Sequence, residues 1–246
     1  MSKADIHIHS RYSDGLASVS DILDFVECNT DLDVVAVTDH EDVAGGVEAR
    51  ELAAKRGSRV DVVPGAEITT RHGHLLALFI ERTPPLFRSV EATLEAIHSQ
   101  GGFAIVPHPN SWLTRSISRR TIERVQRKAE PGVMFDGIET ANPSPAGRIR
   151  HSGALELAAR LGLAETGGSD AHHLLHIGRG WTEFDGEGAD ALSQALAAGE
   201  IRANMASYPS VREVGFGRIA LGIGWGYTAT PRKIAARGFS LLRGDR

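Results

Sequence analysis

The chain has 246 residues, 41% hydrophobic and 24% charged, with a formal net charge of −4. That length suits one large α/β domain or two small ones, and the mixed charge gives no bulk support to nucleic-acid binding as a main role, although a local basic groove stays open. The one cysteine, Cys28, excludes an internal disulfide and fits a reducing cytoplasm, and no run approaches the ~20 apolar residues that span a bilayer.

A strand is predicted at residues 4–9, so early that no signal peptide is expected before it. In Asp5-Ile6-His7-Ile8-His9 the two-residue period puts Asp5, His7 and His9 on one face and both isoleucines on the other. Two imidazoles so spaced can grip one metal ion, with the carboxylate behind them orienting a ring. A helix follows from Ser18 or Ser20, with Ile22, Leu23, Phe25 and Val26 on one side and Cys28 expected as buried filler. Then come a buried strand at 33–38, a helix over 43–56 ended by Gly57, and a strand at 60–68 kinked at Pro64-Gly65. A strand at 75–80 pairs with it as a local hairpin across Gly73. The rest reads as a helix over 88–100, a strand at 103–106, a helix over 118–129, a strand at 136–140, a helix over 147–161, a strand at 164–169, a helix at about 189–198 and a strand at 201–204.

Strands alternating with helices mean βα units with mainly parallel pairing, and about seven of them suggest a barrel rather than an open sheet. No glycine-rich phosphate loop follows the first strand, which argues against dinucleotide and NTPase folds. The expected division is a barrel domain over 1–205 and a C-terminal extension over 206–246. That extension is glycine-rich and aromatic at 214–226, basic at 232–246, and expected to dock on the barrel.

The candidate ligands are His7, His9, Asp14, His40, Glu67, His74, His108, Asp170 and His172. All but His74 sit at or just past the predicted C-terminal end of a strand, the end where βα barrels place their chemistry. Six of the eleven histidines belong to this set. Imidazole with carboxylate suits zinc, manganese or iron, and the lack of a cysteine set argues against a structural zinc site. Glu139 and Asn142 end another strand, where they either hydrogen-bond a ligand or shape the loop. Arg11, Arg115, Arg148 and Arg179 follow motifs at positions from which a guanidinium can clamp phosphate.

The ordered series Asp5-x-His7-x-His9-Ser10, Ser13-Asp14-Gly15, Thr38-Asp39-His40, Gly65-x-Glu67, His108-Pro109 and Gly168-Ser169-Asp170-Ala171-His172 resembles the motifs of the PHP (polymerase and histidinol phosphatase) family over residues 4 to about 182. The resemblance implies a distorted seven-stranded (β/α)7 barrel, TIM-barrel-like, holding two or three divalent ions (Mn, Fe or Zn). It implies a first ion on His7, His9, Glu67 and Asp170, a second bridged by Glu67 and completed by His108 and His74, and a third on Asp14, His40 and His172. Some relatives carry histidine where this chain has Asp14, and the oxygen donor favours manganese or iron.

The expected function is cytoplasmic, metal-dependent hydrolysis of a phosphoester, most simply a phosphomonoester of a small metabolite or nucleotide. Metal-activated hydroxide attacks, and Glu67, Asp170 and His172 carry the catalysis. The alternatives are a phosphodiesterase or exonuclease that takes nucleic acid only as a short substrate, and a non-enzymatic, metal-stabilised binding domain.

Overall fold

Nine strands, two more than the seven expected, form one sheet in the computed structural model, which describes residues 1–215 and 217. In chain order the elements are β1 (Ser2–Ile8), α1 (Val19–Asn29), β2 (Val34–Val37), α2 (Ala44–Arg56), β3 (Asp61–Thr70), β4 (Gly73–Leu78), α3 (Val90–His98), β5 (Phe103–Val106) and α4 (Arg119–Lys128). They continue with β6 (Gly137–Ala141), α5 (Pro145–Arg148), α6 (His151–Leu161), β7 (Ala164–Gly167), β8 (Gly180–Phe184), α7 (Gly188–Ala198), β9 (Ile201–Met205) and α8 (Val211–Val214). The expected basic stretch at 232–246, and almost all of the glycine-rich stretch, lie outside the described residues.

The sheet order is β7-β6-β5-β4-β3-β2-β1-β8-β9. β1–β2, β2–β3, β5–β6 and β6–β7 are parallel, whereas β3–β4, β4–β5, β1–β8 and β8–β9 are antiparallel. The pairing is therefore mixed rather than mainly parallel. β8 is the strand that sequence reading missed. Its residues, Gly-Trp-Thr-Glu-Phe, alternate buried and half-buried but follow the site motif with only the short turn at Leu174–His176 between. β7 also packs against β8 and β9, which brings the two ends of the sheet together into a nearly closed barrel. Thr182 Oγ1 ties that seam, accepting from Gly167 N and donating to Gly167 O, both at 2.9 Å.

Local chemistry fixes most helix ends. Ser18 caps α1 and forms a reciprocal capping box with Asp21. Gly57 closes α2 in the left-handed conformation, φ 61°. Cys28 is exposed, not buried. The buried stripe of α1 is Val19, Ile22, Leu23 and Val26, and position 28 falls off it. The single helix expected at 147–161 is two, α5 and α6. Pro64-Gly65 does not end β3. The strand runs on and changes partner there, from Val37 of β2 opposite Pro64 to Leu78 of β4 opposite Gly65.

The expected alternation along β1 breaks. Between Asp5 and Ile8, three steps on β1 match only two on β2, from Val35 to Val37. Such a bulge resets which face each side chain takes. Ala4 and Ile6 accordingly pack with Val34, Ala36, Leu76 and Ile105, while Ile8 packs with Val35, Val37 and the apolar side of α1. Asp5 is separated from the histidine rings by the same irregularity.

Candidate metal centre

All nine predicted ligands converge at one end of the barrel. His7, His9, His108 and Glu67 are almost wholly buried, whereas the His172 side chain is 37% exposed. Glu67 lies at the centre, within β3 and beyond the point where parallel pairing stops, not at the strand's end. Its Oε2 lies 3.4 Å from His7 Nε2, 3.4 Å from His9 Nε2 and 3.3 Å from His40 Nδ1. Its Oε1 faces other rings, 2.9 Å from His74 Nδ1 and 3.1 Å from His108 Nε2. Asp170 Oδ1 is 3.6 Å from His7 Nε2 and 3.5 Å from His9 Nε2. On the outer side, Asp14 reaches His172 Nε2 at 3.3 Å, His40 Nε2 at 3.6 Å and His9 Nδ1 at 3.7 Å.

These spacings fit divalent ions. Ligands about 2.0–2.2 Å from a tetrahedral ion stand about 3.3–3.6 Å from one another. His7 Nε2 and His9 Nε2 face each other at 3.1 Å, and each lies 3.4 Å from Glu67 Oε2 and 3.5–3.6 Å from Asp170 Oδ1. Among the described residues the compact donor groups are His7–His9–Glu67, His40–Glu67–His74, His7–His108–Asp170 and His9–Asp14–His40–His172. They place His74 with His40, and His108 with His7 and Asp170, where the family resemblance pairs His74 with His108.

Supporting contacts fix how the rings point. Asp5 does not orient an imidazole. Its carboxylate accepts from the backbone of Ser169 at 2.9 Å, Gly178 at 2.8 Å and His7 at 3.3 Å, and burial lifts its pKa to about 6. Glu139 takes the role expected of Asp5, with Oε1 3.0 Å from His7 Nδ1. Glu139 Oε2 accepts from His108 N at 2.8 Å and from Asn142 Nδ2 at 2.7 Å. Glu139 and Asn142 thus act on the ligands from behind. Ser116 Oγ stands 2.9 Å from His108 Nδ1, and Ser144 Oγ donates to Asp170 Oδ2 at 2.9 Å. Short hydroxyls in loops carry no spacing signal, so sequence reading passes over both.

Asp39 accepts from the backbone and hydroxyls of Ser10 and Ser13 and so shapes the loop that presents Asp14. His108 and Asp170 hold positive φ, 28° and 55°, where non-glycine residues are uncommon and strain gathers at functional sites. Gly168 permits a close approach: a Cβ there would lie 2.7 Å from both Glu139 Oε1 and the His7 Cβ.

Burial pushes the Glu67 carboxyl up, but His74 and His40 outweigh it and hold the group well below the usual carboxylate range. Burial likewise works against ionised Asp170, yet His7 and the neighbouring imidazoles keep its pKa low. His172 is disfavoured as a cation by burial, but Asp14 and Asp170 lift it to about 10. Burial lowers His40 to about 4.

The four candidate arginines are all exposed. Arg11 Nε donates to Leu16 O at 2.9 Å, and the Arg115 carbonyl accepts from His74 N at 2.6 Å. Arg179 flanks the rim turn at Leu174–His176, and Arg148 ends α5. His176 stacks on Tyr208, with ring centroids 4.0 Å apart, and His98 pairs with Asp136. Burial holds the Tyr208 phenol well above its usual pKa. No described helix is long and apolar enough to cross a membrane.

The PHP-associated family profile matches residues 148–201. An uncharacterized protein of Methanocaldococcus jannaschii is 35% identical over 151 residues, 57% of this chain and 81% of that protein. Shorter matches join the chain to a 3′,5′-nucleoside bisphosphate phosphatase of Chromobacterium violaceum, 32% identical over 35% of this chain and 30% of that one. Another is a 5′-3′ exoribonuclease of Haemophilus influenzae, 28% identical over 40% of this chain and 36% of that one. A crystal structure from Bacteroides vulgatus, a two-domain protein containing a predicted PHP-like metal-dependent phosphoesterase, superposes with TM-score 0.65 at 23% identity, over 82% of this chain and 64% of that one. With the profile match and its ordered motifs gathered at one end of a PHP-like fold, the chain belongs to the PHP family.

Proposed function

We propose that this protein hydrolyses a phosphomonoester of a small metabolite or nucleotide in the cytoplasm, using two or three divalent ions. The observation that carries the reading is the split environment of Glu67. Its two oxygens face two different sets of imidazoles, as a bridging carboxylate requires. In this reading His7, His9, Glu67 and Asp170 hold one ion, Glu67, His108 and His74 a second, and Asp14, His40 and His172 a third. Bound ions of this kind lower the pKa of a coordinated water and neutralise phosphoryl oxygens.

The chain's own contribution is placement. Glu139 holds the His7 ring, Ser116 the His108 ring and Ser144 the Asp170 carboxylate. Burial of the inner ligands keeps bulk water from competing for them. His172, the most exposed ligand, marks the side from which substrate enters. Arg115 and Arg179 are assigned to the substrate phosphate, with Arg148 and Arg11 as further contacts.

A second reading, cleavage of a short oligonucleotide, draws on Trp112. This residue is 72% exposed at the tip of a loop whose Ser116 and Thr114 both touch His108, and an exposed indole is a stacking surface for a base.

Metal analysis with turnover of p-nitrophenyl phosphate, nucleoside monophosphates and 5′-phosphorylated oligonucleotides tests both. Glu67→Ala should lose bound metal and at least roughly 100-fold in rate, the scale on which one preorganised contact acts. Full activity in Glu67→Ala would reject the bridging role. Cleavage confined to oligonucleotides would replace the first reading with the second.

A further inference from the structure

We propose that Tyr208, which follows β9, is a positioning residue for Asp170 and His172. The inference rests on reading those two side chains as ion ligands. The Tyr208 hydroxyl donates to the backbone carbonyl of Ser169 and lies 3.2 Å from that of Asp170. These carbonyls flank the one residue of the Gly-Ser-Asp-Ala-His motif that sits in the left-handed region, Asp170 at φ 55°. Non-glycine residues take that conformation uncommonly, Asp more readily than most, and contacts around the residue help to hold it.

Several bonds fix this turn from the barrel side. Ser169 N donates to Asp5 Oδ1 at 2.9 Å, Ala171 N to His7 O at 3.2 Å, and Ser144 Oγ to Asp170 Oδ2 at 2.9 Å. Tyr208 adds contacts to two carbonyls of the same turn, those of Ser169 and Asp170. The Asp170 carbonyl also stands 3.0 Å from His172 Nδ1, so one oxygen links the phenol to the ring that must present Nε2 toward Asp14. Moving this carbonyl disturbs both ligands together.

Tyr208 is itself held. Ala206 N donates to Arg179 O at 2.8 Å, which ties the segment after β9 to the rim, and the Tyr208 ring stacks on His176 at an interplanar angle of 14°. The stack anchors the ring, and the hydroxyl does the positioning. The two can therefore be separated by substitution.

Tyr208→Phe keeps the ring and its stack and removes only the hydroxyl. The experiment uses the full chain and reads Mn2+ affinity by calorimetry, the visible absorption of the Co2+-loaded protein, and the melting temperature of the metal-free form. Tyr208→Phe should weaken Mn2+ binding on the order of tenfold, the lower end of the range for groups that orient ligands. It should also shift the Co2+ bands, which report ligand geometry, and leave the metal-free melting temperature close to that of the wild type. Restoring the hydroxyl is impossible in any other natural residue at that reach, so Tyr208→Trp, which keeps a stacking ring with its N–H elsewhere, should show the same loss. Unchanged affinity and unchanged Co2+ bands in Tyr208→Phe would overturn the proposal while wild-type binding still upheld the ion cluster. A wild-type protein that took up neither metal would overturn both.

Discussion

Replacing Glu139 by Gln tests whether the groups behind the ligands set their chemistry. Glu139 is 2% exposed and makes three contacts at 2.7–3.0 Å: His7 Nδ1 on one oxygen, His108 N and Asn142 Nδ2 on the other. Glutamine has the same shape but one acceptor and one donor group. If its carbonyl oxygen takes over the two N–H donors, its NH2 faces His7 Nδ1. His7 must then accept there and carry its proton on Nε2, the nitrogen that faces Glu67, His9 and Asp170. If the amide flips, its NH2 meets two buried N–H donors.

Either arrangement loses a charge-assisted hydrogen bond, worth roughly 1.5–3 kcal/mol, and the first also turns the His7 lone pair away from the cluster. At 1.4 kcal/mol per factor of ten, the expected loss of ion affinity is about 10- to 100-fold, the range seen for such outer groups. Calorimetric titration with Mn2+ at fixed pH measures it directly, with a melt of the metal-free protein as the control for folding. Wild-type affinity in Glu139→Gln would refute the claim that this carboxylate sets the His7 tautomer.

Other outcomes follow from the same structure. Chelation should lower the melting temperature, since an ion at 100 times its Kd adds about 2.7 kcal/mol to the folded state; a melt indifferent to chelator and to added Mn2+ would contradict ion binding. His98 has both ring nitrogens against acceptors, Asp136 Oδ2 at 2.9 Å and Gly132 O at 2.7 Å, and its hydrogen bond to Asp136 raises its pKa. Its stabilisation is then full below the unfolded-state value of about 6.5 and disappears as pH rises through the raised folded value. The melting-temperature gap between wild type and His98→Gln should accordingly be widest near pH 6 and narrow toward pH 9, and a constant gap would count against it. At Gly46, an added Cβ would stand 2.8 Å from Val37 O and 2.9 Å from Gly65 N and the Pro64 Cα. Gly46→Ala should cost about 1–3 kcal/mol in overpacking against at most about 1 kcal/mol gained in helix propensity, and a variant that melts higher would refute the close approach.

The candidate donors were legible in the chain because most end or follow a short apolar run, and a βα architecture sends such residues to one end. His7, His9, Glu67 and Asp170 could be nominated on that ground, as could the hairpin across Gly73 and the cap at Ser18. Local chemistry decides those features, and local chemistry is what a sequence displays. The alternation rule failed in β1 because one bulge, set by pairing with β2, moved Ile6 and Ile8 into different clusters. Asp5 lost its expected partner for the same reason, and Glu139, 132 residues from His7, supplied the carboxylate instead.

β8 escaped notice because its strand character comes from antiparallel pairing with β1 and β9 rather than from a βα repeat. Tyr208 gave no signal at all, since nothing in its own neighbourhood reveals that its hydroxyl reaches Ser169. The amino-acid order thus determined which donors are available and roughly where each enters the barrel. Tertiary structure alone decided which donors share an oxygen of Glu67 and which groups aim them, because those relations are distances between segments that meet only when the barrel closes.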